Sequence, residues 1–112
     1  MSDLANKKCV PCNAETPTLR EDEISALAVQ VPEWEVVGGH HLGRRYSFRN
    51  FREALRFVNR VGELAEEQGH HPEIGFGWGY ANLRVWTHAI DGLSENDFVL
   101  AAKVDALDEE SA

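Results

Sequence analysis

The sequence predicts an α+β domain, a four-stranded antiparallel sheet with three helices packed on one face in the order α-β-β-α-β-β-α. Three observations predict it. Two segments of strand-like composition are each interrupted by a glycine turn, Gly38-Gly39 in one and Gly79 in the other, so the strands come as hairpins. Three further stretches repeat apolar residues at helical spacing. Amphipathic helices need an apolar surface to cover, and antiparallel hairpins present one while leaving their other face bare.

Each element has its own signal. Residues 1–17 carry Cys, Pro, Asn and Thr without a period and read as an extended N-terminal arm, and a single domain is expected over residues 18–107. The first helix is expected from Thr18, with Glu21, Asp22 and Glu23 where the helix dipole favours negative charge. It presents Ile24, Leu27, Ala28 and Val31 before Pro32 stops it. "EWEVVGGHHLGRRYSF" supplies two strands about Gly38-Gly39. Asn50 caps a second helix with Phe51, Leu55, Val58, Gly62 and Ala65 on one stripe, closing at Gly69. "EIGFGW" and "ANLRVWTHAI" give the second hairpin, and Ser94 with Asp97 three residues on opens the last helix as a capping box. Residues 108–112 read as a solvated acidic tail.

Composition excludes several functions. The 112 residues are 43% apolar and 27% charged, an ordinary globular balance. The net charge is −8, and the arginines between Arg44 and Arg60 are interspersed with acids, so no concentrated positive face is offered to nucleic acid. No window approaches the ~18 apolar residues that span a bilayer, and no apolar run of signal-peptide length opens the chain, so no membrane partner and a cytoplasmic location are expected. Cys9 and Cys12 form one CxxC without a second pair to complete a zinc site. They read as two thiols in a loose arm, with metal binding or a disulfide as the alternatives.

The second hairpin carries the most information. Ile74, Phe76 and Trp78 alternate with Glu73, Gly75 and Gly77, so one face is core and the other is stripped of side chains. Taking Gly79-Tyr80 as a type II′ turn pairs Trp78 with Ala81, Phe76 with Leu83 and Ile74 with Val85. On the other face Gly77 then meets Asn82, Gly75 meets Arg84, Glu73 meets Trp86 and His71 meets His88. Directly opposed residues hold their Cβ atoms about 4.5–5.5 Å apart, so this register brings two imidazoles together. Pro72 restricts His71 to extended conformations, and His70 can turn back to the same cleft, within reach of Glu66. The spacing is not that of a helical HxxxH site, and no metal is expected. His40 and His41 flank the Gly-Gly hairpin and read as an exposed turn.

Glu66, His70-His71-Pro72, Trp78, His88 and Asp97, at these spacings, resemble the signature of the pterin-4a-carbinolamine dehydratases, also known as a dimerisation cofactor of a homeodomain transcription factor. The resemblance covers residues 18–107. It implies that His70, His71 and His88 are catalytic, with Glu66, Pro72, Trp86 and Thr87 supporting them or lining the substrate site. Asp97 belongs to the pattern, and its helix-capping role accounts for it. Trp86 is bulkier than the small hydroxyl residue of animal members.

The implied activity is loss of water from a 4a-hydroxytetrahydropterin to give quinonoid dihydropterin, the recycling step after an aromatic amino acid hydroxylase. No cofactor is implied, and a homodimer or homotetramer is. The elimination needs a proton delivered to the C4a hydroxyl and one removed from the adjacent ring nitrogen. Histidine, with an ordinary pKa of about 6.5, can do either near neutral pH. The competing reading is a protein-interaction module, because relatives include a transcriptional coactivator and degenerate assembly factors.

Overall fold

Gly38 and Gly39, with φ of 58° and 68°, turn the chain between strands β1 (Glu35–Val37) and β2 (His41–Ser47), in a conformation that side-chain-bearing residues rarely adopt. The computed structural model describes residues 3–10 and 13–111, with the backbone alone for 3 and 108–111. Helix α1 (Glu21–Ala28) precedes this hairpin, α2 (Phe51–Gln68) follows it, and the second hairpin, β3 (Glu73–Gly77) and β4 (Tyr80–Val85), leads to α3 (Glu95–Ser111). The strands lie in the order β1-β2-β4-β3, all antiparallel. The α+β architecture expected from the sequence is the one observed.

Period-two alternation divides the sheet. Leu42, Tyr46, Ala81, Leu83 and Val85 are buried on the helix-covered face, while Arg45, Asn82 and Arg84 are exposed on the open one. On that open face a Cβ at Gly77 would lie 2.8 Å from Cε1 of Tyr80, so the glycine makes room for the tyrosine ring. Arg45 lies over the face of that ring, 4.5 Å from its centroid.

The register of the second hairpin differs from expectation by two residues. Gly77 pairs with Tyr80, Phe76 with Ala81 and Ile74 with Leu83, so the turn is Trp78-Gly79. Of these two only Gly79 has positive φ, 82°, and a type II turn requires that at its second central position. Trp78 therefore leaves the sheet and is 72% exposed instead of joining the core. His71 and His88 both lie outside the ladder and are not opposed in it.

Helix α2 begins at the expected Asn50, whose Oδ1 accepts from Glu53 N at 2.9 Å. Its buried stripe is Ala54, Phe57, Val61 and Ala65, whereas Phe51 and Leu55, expected on it, are exposed. Helix α1 starts at Glu21, three residues later than expected, where Arg20 N donates to Glu23 Oε1.

Helix α3 is buried all round from Phe98 to Ala102, and Val104 is buried too. A helix without a polar face must be covered on more than one side. The sheet and α2 cover part of it, and the N-terminal segment covers another part. That segment is not a loose arm: Asp3–Asn6 form a 3₁₀ turn, Leu4 is 1% exposed in the core, and Lys103 Nζ donates to Ala5 O at 2.9 Å. The Cys9 backbone N–H donates to Gln68 of α2 at 3.0 Å. Cys12 lies outside the described residues, so the pairing of the two cysteines does too. At the other end, α3 runs through Ser111, which makes residues 108–111 a continuation of the helix rather than a separate tail.

Asp105 of α3 ties the sheet to this helix. Its Oδ1 accepts from Trp34 Nε1 (2.9 Å), Arg44 Nη1 (2.6 Å) and Tyr46 OH (2.7 Å). Arg44 thus sits on the helix-covered side of β2 without leaving a buried charge unpaired.

Candidate active site

The end of α2 aims the first histidine doublet. Gly69 takes a left-handed conformation (φ 65°), and His70 N donates back to Ala65 O at 3.2 Å, a Schellman-type closure. The reversal turns His70 inward and leaves His71 outside. His70 is 9% exposed, with Nε2 2.6 Å from Oδ1 of Asp97. His71 is exposed, with Nε2 2.5 Å from Oε2 of Glu66, one helical turn back. An ionised carboxylate only accepts, so each imidazole presents Nε2–H to its partner and keeps Nδ1 as its second site.

Asp97 is completely buried, and it does more than cap α3. Oδ2 accepts from Ser94 N and from Thr87 Oγ1, each at 2.9 Å, while Oδ1 takes His70. Since the one Thr87 hydroxyl proton goes to Asp97, Ser94 Oγ donates to Thr87 Oγ1 across 2.7 Å. Every polar atom of this buried cluster that the chain must satisfy has a partner, as burial demands. Nothing in the periodicity of the sequence signals a contact between positions 27 residues apart, and helix capping was sufficient reason for Asp97 to be there.

Thr87 opens the loop that carries the third histidine. Its N–H donates to Gly92 O at 2.8 Å, closing residues 88–91 into a loop whose first part is a 3₁₀ turn, His88–Ile90. His88 reaches the doublet by this loop, not by strand register. Its ring stacks on Trp86, with centroids 4.4 Å apart and planes at 13°.

His70, His71, Thr87, His88 and Trp86 line one cleft of about 340 Å³, with Val10 of the N-terminal segment on its rim. Val10 is held there by a reciprocal pair with Asn96, N to Oδ1 at 3.0 Å and Nδ2 to O at 2.6 Å. The sequence offered no sign of Val10. The volume lies in the range of small-molecule sites. Of the other residues expected at the site, Glu66 holds His71 from outside the cleft lining, and Pro72, between the doublet and β3, does not line the cleft either.

His40 and His41 are half-buried rather than an exposed turn. Their Nδ1 atoms lie 3.1 Å apart, and both rings pack near Trp86. Burial and the neighbouring His40 hold His41 below the ordinary histidine pKa. Among the described residues, no three His, Cys, Asp or Glu side chains are grouped so as to hold a metal ion, and no helix is long and apolar enough to cross a membrane.

A four-stranded antiparallel sheet with three helices, and one cleft lined by three histidines of which two are bonded to carboxylates, defines a small α+β domain with a polar pocket. The family model for pterin 4 alpha carbinolamine dehydratase matches residues 17–107, and the chain belongs to that family, whose activity is that of a hydro-lyase. A relative from Rubrobacter xylanophilus, named for pterin-4-alpha-carbinolamine dehydratase, is 65% identical over 107 residues, covering 96% of this chain and all of the relative. Among solved structures, the transcriptional coactivator/pterin dehydratase from Brucella melitensis is similar with a TM-score of 0.76 and 27% identity, covering 81% of this chain and 98% of that one. A pterin dehydratase-like protein identified as a RuBisCO assembly factor in the alpha-carboxysome has a TM-score of 0.58 and 31% identity, over 67% of this chain and 88% of that one.

Proposed function

We propose that the chain dehydrates a 4a-hydroxytetrahydropterin to quinonoid dihydropterin by histidine acid–base catalysis. The observation that carries this reading is one cleft lined by His70, His71 and His88, two of them fixed by carboxylates through Nε2. One imidazolium delivers a proton to the C4a hydroxyl, the C4a–O bond breaks, and water leaves. A neutral imidazole takes the N5 proton, and the N5–H electron pair becomes the C4a=N5 double bond. The proton gained by the base balances the one lost by the acid, so the pair is reset by exchange with solvent. Asp97 and Glu66 hold the rings in one tautomer, and the flat Trp86 ring beside the cleft suits a bicyclic substrate.

Turnover of a 4a-hydroxypterin generated in situ by an aromatic amino acid hydroxylase tests the proposal. Positioned proton transfer contributes roughly 10²–10⁴ in rate, so His71→Ala and His88→Ala, checked for folding, are expected to lose activity on that scale. Full activity in both would sink the assignment. Chelation is expected to leave the rate unchanged.

A second reading, an interaction module, has its own observation. Trp78 is 72% exposed at the tip of the β3–β4 turn, and Phe51, beside Phe76 at 5.5 Å between centroids, is 46% exposed. The names of the Brucella and carboxysome proteins point the same way, and the two roles are compatible. A homodimer or homotetramer fits the two edge strands, β1 and β3, and light scattering of the purified chain measures the assembly.

A further inference from the structure

The three histidines of the cleft are not held alike. His70 is fixed by Asp97 and His71 by Glu66, but among the described residues the His88 ring makes no hydrogen bond, and the face of Trp86 is what positions it. The orientation of His88 is therefore only as definite as that of Trp86. Around the indole lie the two histidines of the other doublet, with His40 at 5.4 Å and His41 at 5.8 Å between ring centroids.

His40 is itself pinned. Its Nε2 lies 2.7 Å from Oδ1 of Asp91, and its Nδ1 is 3.1 Å from Nδ1 of His41, so that with Nε2–H facing the carboxylate the His40 Nδ1 accepts from His41 Nδ1–H. Asp91 ends the 3₁₀ turn that begins with His88, and its N–H donates to His88 O at 3.2 Å. It is also the one non-glycine residue with positive φ among those described, at 47°. Aspartate tolerates that conformation better than most residues, and here its side chain meets the β1–β2 hairpin.

We propose that His40 and Asp91 are positioning residues that clamp the β1–β2 hairpin to the His88 loop, hold Trp86 in place, and so fix the ring of His88 in the cleft. A contact of this kind, with Asp91 largely in solvent, contributes little to stability, so its effect is expected in orientation rather than in unfolding. The kinetic consequence rests on the acid–base reading above; the geometric one does not.

Two measurements test it. In proton NMR of the full chain, the His88 ring protons are expected upfield of an unstacked histidine because of the indole ring current. His40→Ala and Asp91→Ala should return them toward the unstacked position, and His40→Gln, whose amide can still donate to Asp91, should keep most of the shift. In the turnover assay, His40→Ala and Asp91→Ala are each expected to lower kcat about tenfold with KM changed less than about twofold. Combining them should cost no more than either alone, because they break one contact.

Unmoved His88 resonances, or additive losses in the double variant, overturn the clamp. If His88→Ala turns over normally, the acid–base role of His88 fails and the NMR result alone judges the clamp. If His88→Ala is inactive while His40→Ala is normal in both measurements, only the clamp fails.

Discussion

Replacing Asp97 by asparagine separates the chemistry of the site from its stability. The carboxylate receives three donors, His70 Nε2 at 2.6 Å on one oxygen and Thr87 Oγ1 and Ser94 N at 2.9 Å on the other. In Asp97→Asn the amide oxygen can face Thr87 and Ser94, and the amide NH₂ then faces His70. Nε2 must become an acceptor, so the His70 proton moves to Nδ1, inverting the tautomer presented by the ring. All three bonds lose charge assistance, worth about 1 kcal/mol each, so a loss of about 3 kcal/mol is expected in urea unfolding. A domain with roughly 5–15 kcal/mol of stability survives that. Asp97→Ala would instead strand three buried donors at about 1–3 kcal/mol each and could unfold the chain, which makes asparagine the informative substitution. With the fold retained, kcat is expected to fall by about 10²–10⁴. Nitrogen-15 NMR of His70 reports the tautomer directly. An Asp97→Asn chain with wild-type turnover and an Nε2–H tautomer would refute the reasoning.

Other expectations are structural. Leu4→Ala removes a side chain that is 1% exposed and should cost about 2–5 kcal/mol in denaturant unfolding, whereas a loose arm would give no change. Gly69→Ala places a Cβ at φ 65° in open space, so only the backbone penalty of about 1–2 kcal/mol is expected, together with weaker turnover as the Schellman turn shifts His70. His41 has a folded pKa below its ordinary value, so between that value and about 6.5 the unfolded chain binds more protons than the folded one. This residue's share of stability is complete above about pH 6.5 and is lost as pH falls toward the folded pKa. The stability difference between wild type and His41→Gln, followed from pH 7.5 downward, should therefore shift against wild type. Trp78→Ser should change stability by less than about 0.5 kcal/mol, since the ring is mostly in solvent.

Local chemistry made much of the fold legible. Gly38-Gly39, Asn50 and Gly69 each do a local job that the neighbouring residues cannot, and all three mark the boundaries expected of them. The second hairpin was harder, because Gly79 is compatible with either central position of a two-residue turn and the sequence favours neither. The choice is made by the contacts that hold Tyr80 in the strand: its ring beside Gly77 and against Arg45, and the bond from Phe48 N to Gly79 O. A shift of two residues preserves the alternation, so the face of each β3 residue within the strand was legible even though its partner was not.

Sequence alone determined the α+β class, the family resemblance and the residues from which an acid–base site could be built, because these depend on composition, period and spacing along one chain. Tertiary structure decided how those residues meet. The His88 loop closes through Thr87 and Gly92, Asp97 reaches across 27 positions to a buried imidazole, and the N-terminal turn becomes core because α3 has no polar face to leave uncovered. Tertiary structure also placed the "GGHHLG" doublet against Trp86. A histidine in a turn has no fate of its own until another element supplies a partner, and here Asp91 and Trp86 supply it.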